Sequence, residues 1–86
     1  MNAEQASYTF RTIIQGDEGN TFHGYAPALP GCHTWGNSIE ETRAYLRDAI
    51  TVYLQSLIAD NEPIPTDTGY ETLETIILTK PTEQYV

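Results

Sequence analysis

The 86-residue sequence predicts an α+β domain: a small antiparallel sheet in β-β-β-α-β order with one long helix packed on one face. Three observations carry that expectation. Two runs of β-branched and aromatic residues flank a glycine-rich turn near the N-terminus, a single stretch of helical periodicity spans about Ile39 to Asp60, and a last β-rich run, Thr72 to Thr79, follows two prolines.

Each element has its own local reason. Tyr8, Phe10, Thr12 and Ile14 alternate with Thr9, Arg11, Ile13 and Gln15, the period of a strand with one better-buried face. Gly16 to Asn20 (GDEGN) suits the positive-φ positions of a hairpin loop, and Thr21 to Ala26, with Phe22 and Tyr25, is the returning strand. Pro27, Pro30 and Gly31 bend the chain, and Cys32 to Trp35 is a short third strand completing a meander. Ser38 stands three residues before Glu41, the spacing of a capping box in which the serine accepts from the N–H of residue 41 and the glutamate reaches back to that of residue 38. Ile39, Leu46, Ala49, Ile50, Tyr53, Leu54, Leu57 and Ile58 form the apolar stripe of the helix that follows. Asn61, Pro63 and Pro65 stop it. Residues 1–86 read as one domain whose ends, 1–6 and 82–86, are expected to fray.

Composition bounds the function. Lys and Arg total 4 against 12 Asp and Glu, a formal net charge of −8, which disfavours direct DNA or RNA binding, since that affinity comes from cations neutralising phosphates. A basic protein partner fits better, with solubility as the plain alternative. A chain this short buries only roughly 60% of its unfolded surface, so a homodimer or higher homo-oligomer is expected. With one cysteine there is no disulfide framework, and no leader or apolar span is apparent, so the expected location is cytoplasmic.

Chemistry is thinly supplied. Cys32, His23 and His33 are the nucleophile and imidazole candidates, but Cys32 and His33 are neighbours that point to opposite faces of a strand, and no third residue orients the remaining pair. The trio also lacks a fourth metal ligand and any recurrent ligand spacing. The expectation is therefore no enzyme, no metal and no cofactor. A helix on one side leaves the other sheet face open for a partner. The candidate contacts are Arg11, His23, Tyr25, Leu29 and Trp35, with Trp35 weighed between the core and an interface.

The run from Phe22 to Pro65, FHGYAPALPGCHTWGNSIEETRAYLRDAITVYLQSLIADNEPIP, resembles the HicB antitoxin family, marked by a P-D-L-P-G-C-x-T-x-G turn and a helix opening S/T-x-E-E-A. Pro27, Leu29, Pro30, Gly31, Cys32, Gly36, Ser38 and Glu41 fall on the signature as scaffold positions, as do Thr34 and Glu40, while Ala28 and Thr42 replace the usual aspartate and alanine. The resemblance implies a partial ribonuclease-H-like unit that binds and occludes HicA, a small basic toxin that cleaves messenger RNA. It also implies a short form without the DNA-binding domain that longer antitoxins add. The alternative is a solitary HicB-like oligomeric binding module with no toxin.

Overall fold

The computed structural model describes residues 4–81. Its body is a three-stranded antiparallel sheet, β1 (Ile13–Gly16), β2 (Phe22–Tyr25) and β3 (His33–Gly36) in that spatial order, with one helix, α1 (Ile39–Ala59), packed on it. The register pairs Ile13 with Tyr25 and Gln15 with His23 across β1 and β2, then His23 with Trp35 and Tyr25 with His33 across β2 and β3.

The hairpin loop forms as its residues dictate. Gly19 and Asn20 take φ of 68° and 61° in a short 3₁₀ turn, Glu18–Asn20. The Asp17 carboxylate accepts from the Glu18 N–H at 2.8 Å, the habit that makes aspartate a turn residue. The link between β2 and β3 is tighter than a loop of prolines and glycine need be. Leu29 N–H donates to the Ala26 carbonyl and Cys32 N–H to the Leu29 carbonyl, both at 3.0 Å, with Gly31 at φ 83°. These successive turns bring every third residue inward, so Ala26, Leu29 and Cys32 join Leu46 of α1 as the buried core, with Phe10, Ala49, Ile50, Tyr53 and Leu54 packed around it.

Helix α1 starts at the expected cap. Ser38 Oγ accepts from the Glu41 N–H at 3.0 Å, while Glu41 Oε1 accepts from the N–H of Asn37 at 3.4 Å, one residue earlier than the capping-box spacing predicts. At the other end Asn61 takes φ 56°, Glu62 N–H donates to the Leu57 carbonyl at 2.8 Å and Asn61 N–H to that of Ile58 at 3.1 Å. This is a Schellman closure, with asparagine in the place glycine usually fills.

Four expectations are corrected. The strand expected to begin at Ser7 pairs only over Ile13–Gly16, because its partner strand β2 gives way after Tyr25 to the Ala26 turn. Ile39 and Ile58, counted in the helix stripe, are both 57% exposed at the helix ends, beyond the edge of a sheet only four residues deep. Thr42, outside that stripe, is fully buried, its hydroxyl satisfied by the Ser38 carbonyl at 2.7 Å. The fourth strand is not paired within this chain: among the described residues no strand follows α1, and 72–79 stand exposed. The observed order in one chain is therefore β-β-β-α.

Candidate partner-binding face

The sheet has two faces of opposite character because strand residues alternate. On the α1 side, Gly24 and Gly36 leave no room for a side chain. A Cβ at Gly36 would lie 2.6 Å from Thr42 Oγ1 and 2.8 Å from Thr42 N, and one at Gly24 would lie 2.9 Å from Thr42 Cγ2. Helix and strands thus meet almost backbone to backbone at Thr42. The intervening residues, His23 and Tyr25 of β2 with His33 and Trp35 of β3, therefore point away from the helix.

Those four side chains form one stacked array. His23 lies between its neighbours, with ring centroids 4.9 Å from His33, 4.7 Å from Trp35 and 5.3 Å from Tyr25 and interplanar angles of 2°, 20° and 24°. His23 Nε2 and His33 Nδ1 share a hydrogen bond of 2.7 Å, which requires one ring to donate and the other to accept. At the end of the row the Trp35 indole N–H donates to Asp17 Oδ2 at 3.1 Å. The Glu18 N–H, that indole and the nearby His23 together hold the Asp17 carboxyl below the usual carboxylate range. A row of flat π faces ending in a carboxylate is suited to apolar and cationic side chains, guanidinium groups above all.

The sequence candidates divide. His23, Tyr25 and Trp35 come together on this face, and Trp35, at 55% exposed, belongs to the surface. His33, which sequence reasoning weighed only for catalysis or metal binding beside Cys32, completes the array; the outward period of β3 is the signal that could have found it. Leu29 is 1% exposed and is taken up by the core, so it presents no surface to a partner. Arg11 sits apart, at the β1 side of the sheet. Its Nε donates to Asp67 Oδ1 at 3.0 Å, its backbone N–H to Asp67 Oδ2 at 2.8 Å, and its Nη1 lies 3.7 Å from Glu71. Backbone donation from Arg11 and Gly69, more than the guanidinium, holds the Asp67 carboxyl low.

The scaffold positions have visible duties: Leu29 and Cys32 in the core, Gly31 at its positive φ, Gly36 against Thr42, and Ser38 and Glu41 at the helix cap. Burial in an apolar site pushes the Cys32 thiol up, which disfavours a thiolate, and His23 is already bonded to His33. Among the described residues no three or more His, Cys, Asp or Glu are grouped to hold a metal ion, and no helix is long and apolar enough to cross a membrane.

Residues 10–80 match the family model of the HicB-like antitoxin of bacterial toxin–antitoxin systems. A UPF0150 protein of Thermoplasma acidophilum is 39% identical over 62 residues, 72% of this chain and 90% of that protein. A UPF0150 protein of Synechocystis is 33% identical over 58 residues, 67% of this chain and 73% of that protein. Among solved structures, the N-terminal domain of the Burkholderia pseudomallei antitoxin HicB superposes with a TM-score of 0.60 at 27% identity, covering 77% of this chain and 72% of that domain. The chain belongs to the HicB-like antitoxin family.

Proposed function

We propose that this member of the HicB-like antitoxin family binds and occludes a small basic toxin of the HicA kind, and that the toxin docks on the His23, Tyr25, His33 and Trp35 face. The observation that carries the reading is that open stacked face, with Trp35 exposed and Asp17 at its margin, on a chain of net charge −8. Stacked rings accept arginine and apolar side chains, and the negative field speeds encounter with a basic partner. Covering the basic surface that a toxin presents to RNA would silence it without chemistry, so the role is inhibition, not catalysis, in the cytoplasm where messenger RNA is cut. Direct DNA binding is no part of this reading, because the chain carries too few cations for phosphate contact.

Co-expression with any small basic protein encoded beside it tests the reading. The expected result is co-purification and relief of growth arrest, both lost in Trp35→Ala with His23→Ala. Failure of the wild-type chain to do either overturns it. The solitary oligomeric module draws support from the exposed apolar segment after α1, and a stable oligomer with no basic neighbour would favour it.

A further inference from the structure

The two edges of the sheet differ in what covers them. On the β1 side the chain folds back on itself: residues 65–67 lie against 7–10, and the Arg11 N–H donates to Asp67 Oδ2 at 2.8 Å. The outer edge of β3 meets no strand among the described residues. Its sequence, HTWG, also lacks the lysine or proline that commonly guards an exposed edge.

The ladder's alternation decides which backbone groups are left over. The Asp17 N–H donates to the Thr21 carbonyl at 2.8 Å and the Ala26 N–H to the Cys32 carbonyl at 3.4 Å, each continuing the register of its strand pair. Hydrogen-bonded pairs alternate along an antiparallel ladder, so Thr34 and Gly36 turn their N–H and C=O groups to β2. His33 and Trp35 turn theirs outward, and each offers a donor and an acceptor to a strand laid alongside.

Under that edge runs a shallow groove of about 760 Å³, between residues 31–33 and the second half of α1. Val52, Tyr53 and Leu57 give it an apolar wall, with Val52 64% exposed, and Asp48, Asp60 and Glu62 give it charge. Among the described residues none of these carboxylates has a cation within 4.0 Å.

We propose that the basic partner docks by adding an extended segment of its own to the outer edge of β3, a reading that rests on the toxin-binding role above. Such a segment joins the surfaces on either side of β3. Cross-strand neighbours share a face, so its residues opposite His33 and Trp35 lie beside the stacked rings, where guanidinium and flat side chains fit. The residue opposite Thr34 turns to the groove side, where an apolar side chain flanked by lysine or arginine fits. Charge selects the occupant, since an acidic segment, or a second copy of β3 bringing the same carboxylates, is repelled. Main-chain bonds hold the segment and the two faces choose its sequence.

The test is amide exchange of the full chain, read at His33 and Trp35, with and without the basic protein that co-purifies with it. Both amides are expected to exchange readily in the free chain and to slow by roughly tenfold or more in the complex. His33→Pro removes the outward N–H at the first residue of an edge strand, where proline is tolerated. It is expected to weaken the complex by about tenfold beyond His33→Ala, which removes only the ring. Asp48→Lys with Asp60→Lys, both exposed, is expected to weaken it by about tenfold with circular dichroism unchanged. A complex in which His33 and Trp35 exchange as in the free chain overturns the strand addition and leaves docking on the rings intact. So does a His33→Pro variant that binds like His33→Ala. Amides already protected in the free chain overturn it too, since a second copy would then hold the edge. If no basic protein binds the wild type, the toxin-binding role falls and the strand addition falls with it.

Discussion

The two faces of the sheet are built from alternate residues of the same three short strands, yet they do opposite things. The α1 face is made of absence: Gly24 and Gly36 let Thr42 approach to contact distance, and the core beyond it is closed by Leu29, Cys32 and Leu46. The outer face is made of bulk, with four rings stacked over one another and half in solvent. One face spends its residues on stability and leaves nothing for a partner. The other contributes little to the core and offers a surface of flat, amphipathic groups, the kind that dominate binding energy.

Substitutions should separate the two faces cleanly. Leu29→Ala opens a cavity under the β2–β3 turn and is expected to lower unfolding free energy by about 3 kcal/mol in urea titration, while toxin affinity of the folded fraction is unchanged. Gly36→Ala forces a methyl against the Thr42 backbone and is expected to cost about 2 kcal/mol, whereas Gly16→Ala, with nothing within 4 Å of the new atom, is expected to cost less than about 0.5 kcal/mol in the same assay. Trp35→Ala reverses the pattern, with little loss of stability and a toxin affinity weakened by about 2 kcal/mol, or roughly 30-fold, by calorimetric titration.

The smallest effect is on pH. Asp17 and Asp67 both have depressed carboxyl pKa values, through bonds from the Glu18 N–H and the Trp35 indole in one case and from the Arg11 and Gly69 N–H groups in the other. A carboxyl held lower in the folded than in the unfolded chain adds stability that is present above about pH 4 and lost as pH falls through the folded value. Melting temperature should therefore fall on acidification below about pH 4, and Asp67→Asn should flatten that slope.

How far the sequence could be read depended on how local each feature is. Helix α1, its serine cap and its asparagine-led exit follow from residues within one turn of each other, and so does the GDEGN hairpin. The burial of Thr42 did not, because a polar residue enters a core only when two glycines on other strands make room and its own hydroxyl finds the Ser38 carbonyl. Leu29 reads as surface in a proline-rich turn, and only the successive hydrogen bonds of that turn swing it inward. For the candidate face, His23 and Tyr25 were legible as candidates for the open side of the sheet, but Trp35 read equally as core, and the His23–His33 bond needed the register between β2 and β3, which no single strand encodes.

The sequence by itself determined the three strands, the capped helix, the acidic charge and the strand character of 72–79. Tertiary structure alone decided which residues became core, which became a surface, and that 72–79 finds no strand beside it in its own chain. The physical reason is that helices and turns close their hydrogen bonds among near neighbours, whereas a strand has only half a structure until an edge is supplied from elsewhere. That edge is set by register and by the Arg11–Asp67 grip, both of them products of the folded chain.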